Sequence, residues 1–191
     1  MRACLPASTV HDDRCGCLAA LGQMSRRGFL GGGLGVAGVL AFGNVAQAAY
    51  GNYELMLLSC IDPRLVTDVH DYMTAQNLRG KFSQFVIAGG PIGVVAPAFA
   101  KWQPAFWENL AASIELHSIK RVVGLTHRDC GAAKIAYGDA AVATPTAEDA
   151  THRRALAQFT AAVKKHQPKL GVTTGIMALN GSVELIDGKV T

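Results

Sequence analysis

Between residues 55 and 186, short solid apolar runs alternate with longer stretches whose apolar positions are spaced. Leu55, Met56, Leu57 and Leu58 follow one another without a polar break. A strand with helices on both sides of its sheet reads this way, because both of its faces are buried. A second run centres on Phe85, Val86 and Ile87 within residues 82–88, and a third covers 121–125. The spacing changes between them. Leu65, Val69, Tyr72 and Met73 recur on one face of residues 65–78, with Asp68 and Asp71 on the other, which predicts a helix ended by Gly80. Pro104 suits the first turn of a helix over 105–118, along which Phe106, Leu110, Ser113, Ile114 and His117 step. His117, near that helix's C-terminus, is favoured there by the helix dipole and reads as structural. A short helix is expected over 132–137. A long one follows over 147–167, with Leu156, Phe159 and Val163 inward and Thr146–Asp149 as a near capping box at its start. His152, Arg153, Arg154, Lys164, Lys165 and His166 are expected on its solvated face. Residues 94–103, punctuated by Pro97, fit neither period. Strands over 171–179 and 183–186 flank Asn180-Gly181, a hairpin signal. The alternation predicts an α/β fold with a mainly parallel central sheet flanked by helices. In such sheets, sites form at the carboxyl ends of the strands.

The amino-terminal residues carry a different pattern. Arg26-Arg27 and Phe29-Leu30 precede a run of Gly, Ala, Leu and Val, and Ala46-Gln47-Ala48 closes it. A charged start, a short apolar middle and an Ala-x-Ala end make a secretory signal, too short and glycine-rich for a stable membrane span. The adjacent arginines resemble the twin-arginine export signal. Residues 24–48 are therefore expected to be the signal, 1–23 an upstream extension that does not fold, and 49–191 a single domain delivered to the periplasm or secreted.

Composition narrows the function. The 191-residue chain has a net charge of +4 and no basic stripe interleaved with aromatics, so nucleic-acid binding is not expected. The glycines at 89, 90 and 93 lack dinucleotide-fingerprint spacing. Of the 5 cysteines, Cys4, Cys15 and Cys17 fall within the amino-terminal extension, and only Cys60 and Cys130 follow residue 48. In an oxidising compartment two cysteines ordinarily mean a disulfide. Here each stands at the end of a predicted strand, and Cys130 completes a His-x-x-Cys pair with His127. Two thiolates and an imidazole are a zinc ligand set with one position open.

Asp62 and Arg64 lie two and four residues beyond Cys60. Asp62 is either a fourth ligand or is held by Arg64 in a bidentate pair that leaves the fourth position to water. In the second case zinc would lower the pKa of that water to roughly 7 and supply a hydroxide nucleophile. The four-residue gap between Cys60 and Arg64 is too short for a cysteine phosphatase.

Cys-x-Asp-x-Arg at Cys60–Arg64, followed by His-x-x-Cys-Gly at His127–Gly131, resembles the β-class carbonic anhydrases. The resemblance covers most of 49–191. It implies zinc held by Cys60, His127 and Cys130, and a catalytic dyad of Asp62 and Arg64. It implies reversible hydration of carbon dioxide to bicarbonate, a pocket including Ala88, Gly89, Gly90 and Gly131, and a homodimer or higher homo-oligomer. Pro63, Thr126 and Arg128 depart from the residues usual in that family, and 86–90 lacks its polar side chains. A less polar pocket also suits carbon disulfide or carbonyl sulfide. A catalytically silent zinc-binding protein, with Asp62 closing the site, is the non-enzymatic alternative.

Overall fold

The computed structural model describes residues 51–190. The expected signal peptide and upstream extension lie outside the described residues. The chain forms β1 (Leu55–Ser59), α1 (Val66–Ala75), β2 (Phe82–Val86), α2 (Pro91–Val95), α3 (Gln103–His117), β3 (Arg121–His127), α4 (Gly131–Tyr137), α5 (Pro145–His166), β4 (Gly171–Met177) and β5 (Val183–Asp187). The strands make one sheet in the order β2-β1-β3-β4-β5, with the first four parallel and β5 antiparallel to β4. This is the expected α/β architecture.

Alternation along β1 explains its unbroken apolarity. Leu55 and Leu57 pack with Leu65, Val69 and Met73 from the α1 side. Met56 and Leu58 point the other way, to Phe106 and Leu110 of α3 and Phe159 and Val163 of α5. Each fully buried leucine removes enough apolar surface from water to contribute roughly 1.5–3 kcal/mol. Gly124 is required on the second face. A Cβ there would lie 2.8 Å from the Phe159 ring and 2.9 Å from Pro91.

Several boundaries differ from expectation. The helix expected over 65–78 is α1, shorter at both ends, because Pro63–Leu65 form a 3-10 turn capped by the Asp62 side chain. The ambiguous 94–103 stretch resolves into α2 and a 3-10 segment, Pro97–Trp102, each opened by a proline. Strand β3 continues to His127 instead of stopping at Leu125, since its pairing with β4 runs through His127–Met177. Helix α5 starts earlier than its sequence signal. Thr144, not Thr146, is the cap, accepting from the Ala147 amide at 3.2 Å. His152, expected in solvent, is wholly buried, because it faces inward on the same side of α5 as Leu156 and Phe159. Among the described residues no helix is long and apolar enough to cross a membrane.

Candidate metal centre

Parallel pairing of β1 with β3 sets the site. Leu58 is level with Gly124, so two residues further on Cys60 leaves the sheet beside the end of β3. His127 is the last residue of β3, and Cys130 precedes the first turn of α4. The ligating atoms of Cys60, His127 and Cys130 lie within 4.8 Å of one another. Both cysteines are free thiols, not a disulfide.

This set fits a zinc ion. Tetrahedral bonds of about 2.0–2.3 Å place ligand atoms roughly 3.5–4 Å apart, so small side-chain adjustments close the three onto one cation. His127 is almost fully buried, and its Nε2 has no hydrogen-bond partner. Its Nδ1 lies 2.9 Å from the Arg128 carbonyl. Donating there fixes the tautomer that leaves the Nε2 lone pair free. An orphaned buried nitrogen is costly unless something binds it, and two sulfurs stand beside this one.

The two sulfurs titrate in opposite directions, and Cys60 is the one poised for deprotonation. The hydrogen bond from Cys130 pulls Cys60 far below the ordinary thiol range, against the effect of burial. His127 and the Gly89 amide, 3.1 Å from Cys60 Sγ, pull the same way. The same contact pushes Cys130 up, and burial adds to it. Cys130 is thus the sulfur that keeps its proton longer, and the Ala132 and Ala133 amides at the start of α4 work to lower it. Burial would depress His127, but the Cys60 sulfur beside it and that sulfur's charge outweigh it and raise the imidazole.

Asp62 stands outside the three-ligand cluster. Arg64 grips it with Nε to Oδ1 at 3.0 Å and Nη2 to Oδ2 at 2.8 Å, while the Arg64 amide also donates to Oδ1 at 3.0 Å. These bonds hold its carboxyl down at about 2. Asp62 Oδ2 remains 4.0 Å from His127 Nε2, at the edge of the centre. Of the two arrangements open to Asp62 in the sequence, this geometry is the arginine-held pair.

A cavity of about 360 Å³ opens onto the centre, lined by Asp62, Arg64, Asp129, Cys130, Gly131 and Glu148 among others. Of the four positions expected to line a pocket, Gly131 lies on this cavity. Gly89 instead serves the Cys60 sulfur. Gly90 is buried behind it, where a Cβ would meet the Leu125 carbonyl oxygen at 2.7 Å. Ala88 faces a separate apolar groove with Ile61, Val86 and Trp102. The β2–α2 turn packs against β1 and β3, which turns these residues away from the cavity.

Two cavity residues had no separate signal in the sequence. Asp129 reads only as spacer inside His-x-x-Cys, yet its carboxylate accepts from Arg64 Nη1 at 2.8 Å and its carbonyl from Nη2 at 3.0 Å. Glu148, on α5, accepts from the Asp129 amide at 2.6 Å. Neither contact follows from spacing, because each joins distant elements.

No family model matches the sequence. The chain is 32% identical over 131 residues to the uncharacterized protein RC0076 of Rickettsia conorii, an alignment covering 69% of this chain and 70% of the relative. The chain belongs to the same family as that rickettsial protein. Among solved structures it resembles the carbonic anhydrase from Streptococcus mutans, with TM-score 0.50 and 18% identity over 78% of this chain and 90% of that one. A β-carbonic anhydrase isoform of Trichomonas vaginalis aligns at TM-score 0.48 and 16% identity, covering 69% of this chain and 81% of that one. At 18% identity the likeness to the Streptococcus mutans carbonic anhydrase establishes the fold alone.

Proposed function

We propose that this protein is a zinc-dependent carbonic anhydrase, interconverting carbon dioxide and bicarbonate. The observation that carries the reading is the convergence of Cys60, His127 and Cys130 beside an arginine-held Asp62. Zinc in that position would supply Lewis acidity and a water acidic near neutral pH. The chain's own residues do the rest. Arg64 keeps Asp62 ionised and fixed, so Oδ2 is an acceptor at any pH near neutrality. From there it would orient the attacking water by accepting a hydrogen bond from it, which directs the oxygen lone pair into the cavity. His127 keeps its ring aligned through the Arg128 carbonyl.

The cavity is lined by the charged side chains of Asp62, Arg64, Asp129, Lys134 and Glu148 and is not the less polar pocket expected from residues 86–90, which face elsewhere. Carbon disulfide or carbonyl sulfide is a second reading on the same centre. Zinc content of the purified chain, with stopped-flow acidification on mixing with carbon dioxide, tests the first. The expected result is one zinc per chain and a proton burst abolished by chelation. A zinc-loaded chain with no burst between pH 7 and 9 overturns it, and sulfide release from the sulfur analogues would then favour the second. Zinc loading with neither reaction favours the silent zinc-binding alternative.

We further propose export through the twin-arginine route, on the strength of Arg26-Arg27 and the Ala-x-Ala sequence. Periplasmic fractionation of the chain and of a variant with both arginines changed to lysine tests it. Assembly into a homodimer or larger oligomer is proposed from the resemblance and from exposed apolar residues beside edge strand β2, namely Ile61, Val86 and Trp102. Light scattering of the purified chain tests that.

A further inference from the structure

Backbone pairing stops just short of the metal centre. Past the end of β3, the Arg128 amide still donates to the Met177 carbonyl at 2.9 Å. The next peptide unit, joining Arg128 to Asp129, is held by side chains at both ends. Its carbonyl lies 2.9 Å from His127 Nδ1, and its N–H donates to Glu148 Oε1 at 2.6 Å. Among the described residues neither group has a backbone partner. A trans peptide is planar, so its N–H and carbonyl turn together. A carboxylate that fixes the first therefore aims the second at the His127 ring.

That plane has a reason to turn. Asp129 sits at φ 55°, in the left-handed region, which is unfavourable for an L-residue other than glycine. This angle is the rotation about the Asp129 N–Cα bond. Relaxing it would swing the same plane and carry the Arg128 carbonyl off His127. The other ties to the loop are weaker constraints. Arg64 grips the Asp129 carboxylate and carbonyl, but both side chains are exposed, and exposed ion pairs hold a geometry loosely. Asp149 holds Arg128 at 2.7 Å, but at the far end of a long flexible stem. Glu148 is only 15% exposed and stands near the start of α5, a 22-residue helix packed on β3 through Phe159. Its bond to the amide is of the short, charge-assisted kind.

We propose that Glu148 is a positioning residue of the metal centre: by holding the Arg128–Asp129 peptide, it keeps the His127 imidazole turned toward the two sulfurs. This rests on the metal-centre reading above, and deepens it by adding a residue of α5 that touches none of the three ligands.

The test is the zinc affinity of the full chain, read by competition with a chromogenic chelator, with the visible spectrum of the cobalt-loaded chain as a second readout. Glu148→Ala removes the acceptor. It is expected to weaken zinc binding about tenfold, the lower end of what partners behind a metal ligand contribute, and to alter the cobalt spectrum. Glu148→Gln loses the charge but keeps an oxygen for the amide, so its zinc affinity is expected to stay near that of the parent. Glu148→Asp keeps the charge on a side chain one methylene shorter and is expected to weaken binding as alanine does. With Glu148→Gln it decides the matter if the alanine variant does not fold. Val163→Ala, in the core toward the other end of α5, costs stability away from the loop and is expected to leave affinity and spectrum unchanged. Parental affinity in Glu148→Ala and Glu148→Asp overturns the inference and leaves the metal centre standing. Equal weakening in Glu148→Gln assigns the effect to charge, and equal weakening in Val163→Ala assigns it to lost packing; either overturns it. A parent chain that takes up neither zinc nor cobalt overturns the metal reading and this one together.

Discussion

Asp62 and His127 are 4.0 Å apart at their nearest polar atoms but have separable roles. Asp62 spends both carboxylate oxygens on Arg64, so its removal should leave metal uptake intact. Asp62→Asn is expected to lower the carbon dioxide hydration rate about 100-fold, the order that misplacing a reacting group costs. Zinc stoichiometry, measured on the same sample by atomic absorption, should stay at that of the parent. His127→Ala is expected to do the reverse and lose the metal, because its Nε2 is the cluster's only nitrogen. A zinc-replete His127→Ala chain would remove the imidazole from the ligand set. The sequence made the ligand types legible, since strand-end cysteines and His-x-x-Cys are local patterns. It did not make Asp129 legible, because its partner Arg64 is 65 residues away.

At the scale of elements, the centre depends on how closely β1 and β3 lie under α5. Gly124 lets Phe159 and Pro91 sit directly against β3. Gly124→Ala puts a methyl within 2.9 Å of both, so either ring must move. Overpacking of this kind costs about 1–3 kcal/mol, and urea denaturation should register that loss with an unchanged slope. The solid apolar runs, the Asn180-Gly181 turn and the period-3.6 pattern located all five strands and the long helices. They misplaced the start of α5, because Thr146–Asp149 imitates a cap while Thr144 makes the bond. They also left 94–103 open, since single helical turns joined by prolines are too short to carry a period.

At the scale of the whole molecule, a metal would tie the ends of two strands whose residues are far apart in sequence. Binding to the folded state alone stabilises it by about 2.7 kcal/mol at a free ligand concentration 100 times Kd. The melting temperature is therefore expected to rise with added zinc and fall on chelation, and a zinc-independent melt would argue against a loaded centre. Acid should act through His152. It is wholly buried, with neither ring nitrogen hydrogen-bonded and Glu148 Oε1 4.0 Å away. Burial lowers it to about 4, with the charges of Arg128 and His127 adding and that of Asp149 opposing. The unfolded histidine titrates near 6.5 and so takes up its proton first. This contribution is whole above about pH 6.5 and is lost as pH falls toward 4, by up to about 3 kcal/mol. His152→Phe is expected to flatten that part of the profile in urea melts at stepped pH. An unchanged slope would acquit His152.

What the sequence by itself determined is what neighbours along the chain can encode. Apolar periodicity set the order of strands and helices, and short spacings set which atoms stand at the strand ends. Only the tertiary structure decided that Cys60 arrives beside His127, that Asp129 closes over Arg64, and that His152 is buried. Each of these depends on strand register and helix rotation. Those are fixed by the packing of the whole core, which no short stretch of sequence specifies.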